Sequence, residues 1–162
     1  MPEGFGRRYN ATLYRRIPGD TPVTRAAIDA IVETVITACP DTQAIYRYGS
    51  WGTDYQRADS DLDVAVLLPH ETAVDIDIRQ WAALNGELAV AAHTEYVDLI
   101  NLRTADTTLQ AEILRTGEVV YSRDDDRRLD FEALVLSMHQ KLNEARAPLY
   151  QDIMERGRVL AP

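Results

Sequence analysis

The sequence predicts an α+β fold in which a small mixed β-sheet is backed by helices. Strand-like and helix-like segments are interspersed along the 162 residues without the regular alternation of repeated βαβ units. The run VAVLL at 64–68 is continuously apolar, which is typical of a strand buried on both faces. Apolar and charged residues make up 46% and 27% of the chain, so we expect one cooperative domain over residues 21–162.

Periodicity and end signals define the individual elements. Residues 1–20 show no clear period, and we expect a loosely ordered arm. Apolar residues then recur at helical spacing from Val23 to Ala38, with Pro22 in the first turn and Pro40 as the stop. Alternation, prolines and glycines set the later boundaries. The further predicted elements are strands at 44–48 and 62–68, a helix at 77–92, a strand at 95–102, a helix at 107–115 capped by Gly117, a strand at 118–122, and a C-terminal helix at 124–158 with a bend near Pro148.

The C-terminal helix carries a stripe of large apolar side chains. We interpret this stripe as part of the core, with a partner-binding surface as the alternative. Its members are Phe131, Leu134, Leu142 and Leu149.

Composition narrows the function classes. The net charge of −9 argues against an extended nucleic-acid surface, because binding to a phosphate backbone depends on Lys and Arg. A nucleotide escorted by Mg²⁺ is compatible with an acidic protein, since the metal supplies positive charge locally. There is no apolar run of about 18 residues and no basic-then-apolar leader, so we expect a cytoplasmic protein with no membrane contact. Cys39 is a single cysteine among apolar helix residues and is predicted to be a small core side chain.

Three aspartates stand at alternate positions directly before the buried strand: Asp59, Asp61 and Asp63. Alternate strand residues lie only about 7 Å apart on one face, so these carboxylates repel each other unless a cation lies between them. An EF-hand is excluded, because it needs Gly and Glu where this chain has Val64 and His70. The chain also contains no Walker-type P-loop, no GxGxxG and no HExxH.

What remains is a strand, Gly49-Ser50, ten residues, and then Asp61-Leu62-Asp63. Gly49 allows close approach of the backbone to a bulky anion, Ser50 offers a hydroxyl and an amide, and a helix beginning there would direct its N–H groups at phosphate. Asp61 and Asp63 could share Mg²⁺ ions that bridge to the same phosphates. Asp98 lies in a predicted strand that could neighbour the strand of Asp63, and it could supply the third carboxylate. Such a triad would align an acceptor hydroxyl with the α-phosphate of a nucleoside triphosphate.

Each of these residues also has a purely structural interpretation. Asp61 and Asp63 could form a solvated acidic loop, and Asp98 could be a carboxylate on an edge strand. Arg57 could touch phosphate or be solvated in its loop. The acidic pair Asp75 and Asp77 repeats the DxD spacing, but we interpret it as a helix start, where acidic residues suit the helix dipole.

The spacing GS-x10-DLD followed by a strand aspartate resembles the nucleotidyltransferase superfamily that includes DNA polymerase β. The small size, VDLINL and LQAEILRTGEVVYSRDDDRRLDFEA further resemble the minimal nucleotidyltransferase antitoxins of the MntA type. The resemblance covers roughly residue 44 to the C-terminus. It implies a polymerase-β-like fold and Mg²⁺-dependent transfer of AMP from ATP onto a tyrosine of a HEPN-domain ribonuclease toxin, HepT, in a hetero-oligomeric complex.

The resemblance also implies roles for individual residues. Gly49 and Ser50 would bind the triphosphate, Asp61 and Asp63 would hold metal, and Asp98 would complete the catalytic triad. The chain departs from the usual GSxARG loop by reading GSWGTD, and Arg57 is the residue expected to compensate. Two rival functions stay open: transfer of a nucleotide to a small hydroxyl compound, and neutralisation of the toxin by binding without catalysis.

Overall fold

The computed structural model describes residues 22–50 and 61–157. Five helices and four strands lie within these ranges. In chain order they are α1 (Pro22–Ala38), β1 (Ala44–Tyr48), β2 (Leu62–Leu67), α2 (His70–Val74), α3 (Ile78–Ala91), β3 (Val97–Asn101), α4 (Thr107–Thr116), β4 (Glu118–Ser122) and α5 (Asp125–Arg156).

The strands form one mixed sheet in the order β3-β2-β1-β4. Strand β1 pairs antiparallel with both β2 and β4, whereas β2 pairs parallel with β3. The predicted α+β class and mixed sheet are therefore confirmed. The sequence placed β1 and β4 at their observed bounds, and it extended β2 and β3 by one to three residues at their ends.

Helices cover both faces of the sheet. Helices α1 and α3 pack on one face through side chains such as Val35 and Leu88, which meet Ile45, Val64 and Val66 from the strands. On the opposite face, α4 and α5 cover a second group of buried strand residues. Because β2 lies between these two layers, its residues from Val64 to Leu67 are almost fully buried, as the apolar run VAVLL predicted. Cys39 is buried in the first layer, also as predicted.

The structure shows the residues predicted at the start of α3 and at the end of α4. Asp77 is the N-cap of α3, and its side chain accepts a hydrogen bond from the backbone N–H of Arg79 at 2.8 Å. Gly117 caps α4, but its φ of −81° is accessible to any residue. A glycine suits this position because a Cβ would lie 2.6 Å from the carbonyl oxygen of Ile113.

The interpretation of the α5 stripe as core is wrong for two of its four members, and a third, Leu142, is only partly buried. Phe131 is buried, but Leu134 and Leu149 are 58% and 53% exposed. A helix of 32 residues is about 48 Å long, while strands of five or six residues span less than about 20 Å. The helix therefore extends past the sheet that buries its first third. The predicted bend at Pro148 stays a prediction, since the helical assignment continues through that residue.

One helix was missed and two regions lie outside the description. Helix α2 has only five residues, too few for a helical period to show in the sequence. The predicted arm at 1–20 and the loop at 51–60 fall outside the described residues. Within the described part of the chain, no helix is long and apolar enough to cross a membrane.

Candidate active site

The ends of three neighbouring strands bring the candidate residues together. Tyr48, the last residue of β1, is the register partner of Asp63 near the start of β2. On its other side, Asp63 is the register partner of Asp98 in β3. Directly paired residues on adjacent strands have their Cβ atoms about 5 Å apart on a shared face. Tyr48, Asp63 and Asp98 therefore form a row across the sheet, at the edge where β1 ends and β2 and β3 begin.

Gly49 lies directly against the Asp63 side chain in this row. Its φ of +71° lies in the left-handed region that favours glycine. A Cβ built on Gly49 would collide with the Asp63 carboxylate oxygen Oδ2. The glycine is thus required twice, for its backbone conformation and for the space that the Asp63 side chain occupies. The role predicted for Gly49, close approach of its backbone to phosphate, stays a prediction, and the neighbour that the structure shows is the Asp63 carboxylate.

The surroundings of Asp63 favour the protonated form of its carboxyl group. Partial burial, together with the negative charges of Asp98 and Asp61, raises the pKa of Asp63 from 3.8 to about 6. Each of these effects disfavours the ionised form. Placing an ionised Asp63 at this position therefore destabilises the fold. The sequence predicted this repulsion from the alternate spacing of the aspartates.

Tyr48 is a site residue that the sequence reasoning missed. Its hydroxyl donates a hydrogen bond to the Asp98 carboxylate oxygen Oδ2 at 3.2 Å. Burial and the charge of Asp98 raise the pKa of Tyr48 above its ordinary value, so the phenol stays protonated and remains a donor. The available signal was its place immediately before Gly49 on a strand whose alternate side chains share one face.

The three predicted metal ligands reach the same edge of the sheet but do not enclose a common point. Asp61 is exposed one residue before β2, and its charge acts on Asp63. Within residues 22–50 and 61–157, no three His, Cys, Asp or Glu side chains are close enough together to hold a metal ion. An all-oxygen donor set and the raised pKa of Asp63 fit a hard divalent cation such as Mg²⁺.

The other predicted phosphate-binding residues are only partly described. Ser50 is exposed directly after Gly49. Arg57 and the predicted helix start after Gly49-Ser50 lie in 51–60, outside the described residues. Two described surface cavities, of about 480 and 460 Å³, lie against α1 and include none of the candidate residues. We therefore assign the site from the chemistry of the sheet edge and not from these cavities.

Comparison with known families agrees with the fold. The family "Polymerase beta, Nucleotidyltransferase" matches residues 31–126, a range that contains Gly49, Asp61, Asp63 and Asp98. The chain therefore belongs to the polymerase beta nucleotidyltransferase family. Enzymes of this family generally use a nucleotide and a divalent metal ion.

Individual relatives point to one branch of that family. The protein adenylyltransferase MntA of Shewanella oneidensis is 33% identical over 125 residues, which cover 76% of this chain and 85% of MntA. The crystal structure of a toxin–antitoxin with AMP-PNP matches with a TM-score of 0.66 at 30% identity, over 78% of this chain and 98% of that one. A tri-AMPylated Shewanella oneidensis HEPN toxin in complex with its MNT antitoxin provides another match, with a TM-score of 0.65 at 28% identity, over 81% and 98% of the two chains. The predictions of an adenylyltransferase and of likeness to the MntA antitoxins are confirmed.

Proposed function

We propose that this chain is the antitoxin of a toxin–antitoxin pair. In this proposal it transfers AMP from ATP, with Mg²⁺, onto a tyrosine hydroxyl of a HEPN-domain ribonuclease toxin and so inactivates it, within a hetero-oligomeric complex. The observation that carries the proposal is the convergence of Gly49, Asp63 and Asp98 at one sheet edge, in a chain similar to a protein adenylyltransferase.

The residues divide into a nucleotide side and an acceptor side. On the nucleotide side, Gly49, Ser50 and Arg57 would bind the triphosphate, and Asp61 and Asp63 would hold the cation. On the acceptor side, Asp98 completes the ligand set from β3, at the end of the described sheet, where its exposed side chain is accessible to another protein. When bound, Mg²⁺ would neutralise phosphate charge and lower the pKa of the acceptor hydroxyl.

The reaction itself is a displacement at phosphorus. The acceptor hydroxyl loses its proton to solvent and its oxygen forms a bond to the α-phosphorus, while the bond from that phosphorus to the bridging oxygen breaks and pyrophosphate leaves. This chain contributes mainly positioning and charge, because phosphoryl-type transfer needs little covalent chemistry from the protein. In this proposal Ser50 and Gly49 fix the triphosphate on one side, and Asp98 acts on the incoming hydroxyl from the other.

The charge of the molecule favours a protein acceptor over a nucleic acid. A net charge of −9 repels a phosphate backbone and leaves association with a nucleic-acid end without the usual electrostatic support. A tyrosine on a folded partner carries no such penalty. The acceptor class in the proposal therefore agrees with the composition of the chain as well as with its relatives.

Labelled nucleotide tests the proposal. The purified chain, Mg²⁺ and α-labelled ATP are incubated with a HEPN-domain protein from the same genome, and with bulk RNA and DNA in parallel reactions. We expect label on a tyrosine of the HEPN protein and none on the nucleic acids. Efficient labelling of a nucleic-acid end, with the HEPN protein unlabelled, would contradict the acceptor assignment.

A further inference from the structure

The hydrogen bond between Tyr48 and Asp98 spans two strand spacings. Strand β2 separates β1 from β3, so the two backbones lie about 10 Å apart. The Tyr48 side chain must therefore lie across β2 at the level of Asp63 for its hydroxyl to reach Asp98 Oδ2 at 3.2 Å. The phenol bridges the row of site residues, with Asp63 in the middle.

Packing does not explain the hydroxyl. The aromatic ring of Tyr48 packs against the apolar layer under α4 and α5, and a phenylalanine ring would fill the same space. Its acceptor, Asp98, is exposed, and a hydrogen bond to an exposed carboxylate contributes little to stability because water competes for both groups. The hydroxyl does, however, fix one carboxylate oxygen of Asp98 and leave the other unengaged by this bond.

We propose that Tyr48 is a positioning residue whose hydroxyl holds the Asp98 carboxylate at the sheet edge beside Asp63, where the divalent cation would bind. The proposal deepens the proposed function, on which it rests for the role of Asp98. Hydrogen bonds from an outer layer of residues orient metal ligands in this way, and their loss typically weakens metal affinity or activity by about 10- to 100-fold. Tyr48 contributes no bond to the cation or to the reacting groups.

Strand β1 supplies a matched control. Tyr46 stands two residues before Tyr48 on the same face, and its hydroxyl also donates to a carboxylate, Glu132 Oε1, at 2.9 Å. Glu132 belongs to a network with Arg128 on α5 that lies outside the candidate site. Tyr46→Phe therefore removes the same kind of hydrogen bond from the same strand without touching Asp98.

Calorimetric titration with Mn²⁺, in the presence of AMP-PNP, measures the predicted effect directly. Tyr48→Phe should weaken Mn²⁺ binding by about 10-fold or more, and Tyr46→Phe should leave it unchanged. In an Asp98→Asn background, Tyr48→Phe should have no further effect, because the carboxylate that it orients is gone. Thermal unfolding of each variant establishes that the proteins compared are folded.

Three results would overturn the inference. These are unchanged Mn²⁺ affinity in Tyr48→Phe, an equal loss in Tyr46→Phe, and an undiminished effect of Tyr48→Phe when Asp98 is already Asn. Failure of the proposed function looks different, because it would leave the toxin unlabelled by the parent protein. The predicted pattern of Mn²⁺ affinities, if found alongside an unlabelled toxin, would support the role of Tyr48 and contradict the acceptor.

Discussion

At the scale of one residue, the ionised Asp63 side chain lowers the stability of the folded protein. Its pKa of about 6 in the folded protein exceeds the ordinary value of 3.8, so the folded state binds this proton more tightly than the unfolded state does. Stability is therefore lost as the pH rises from about 3.8 to about 6, and the penalty is complete at pH 7. Since the side chain is only partly buried, solvent screening limits the penalty to on the order of 1 kcal/mol.

Asp63→Asn should accordingly stabilise the metal-free protein. At pH 7 in a chelator, we expect its free energy of unfolding to exceed that of the parent by about 1 kcal/mol, and the difference should shrink below about pH 5. Chemical denaturation across this pH range provides the measurement. Asp130→Asn, which removes an exposed carboxylate from α5, is the control and should change stability by less than about 0.5 kcal/mol. A destabilised Asp63→Asn protein would show that the carboxylate is held by favourable contacts instead.

Gly49 yields a second test at the residue scale. In Gly49→Ala, the positive φ and the contact with Asp63 Oδ2 should together cost about 1 to 3 kcal/mol and displace the carboxylate, with loss of nucleotide binding. Gly86→Ala is the matched variant, since Gly86 lies in helix α3 and a Cβ added there would meet nothing within 4 Å. It should stabilise the protein by about 0.5 to 1 kcal/mol. Equal stabilities for the two variants would refute the strained, crowded environment inferred for Gly49.

At the scale of elements, sequence patterns identified the longer helices and the strands. They missed the short helix α2 and gave the wrong burial for part of α5. The apolar run in β2 was a sufficient signal, because a central strand is buried on both faces. Helix α2 gave no signal, since five residues cannot show a helical period. The prediction that the α5 stripe is core failed in part because periodicity reports only which side chains share a face. Burial also depends on whether another element lies opposite that face.

Two substitutions by alanine in α5 compare a buried with an exposed apolar side chain of the same helix. Phe131 is buried beneath the sheet layer, and the guanidinium of Arg103 lies 4.7 Å from its ring centroid. We expect Phe131→Ala to lower the free energy of unfolding by about 3 kcal/mol or more. Leu149→Ala, on the exposed part of the same helix, should change it by less than about 0.5 kcal/mol in the isolated chain. Comparable losses in the two variants would indicate that the second part of α5 is packed in solution.

For the whole molecule, the approximate location of the candidate residues was easier to predict than the contacts among them. Spacing along the chain predicted that Asp61, Asp63 and Asp98 lie near one another, because alternate strand residues share a face and Asp98 was expected on a neighbouring strand. The bridge from Tyr48 to Asp98 could not be predicted, since it depends on which strand lies between β1 and β3. The contact of Gly49 with Asp63 likewise depends on register, which alternating patterns determine only within the final sheet.

The central claim is that this carboxylate edge inactivates the partner by covalent transfer and not by contact. The HEPN toxin is co-expressed with the parent chain or with an Asp61→Asn/Asp63→Asn variant, and its intact mass is measured along with cell growth. Because the amides keep the shape but lose the charge that holds the cation, we expect adenylylated toxin and normal growth with the parent, and unmodified toxin and arrested growth with the variant. Unmodified toxin and normal growth with the folded variant would contradict the claim and show that binding is sufficient.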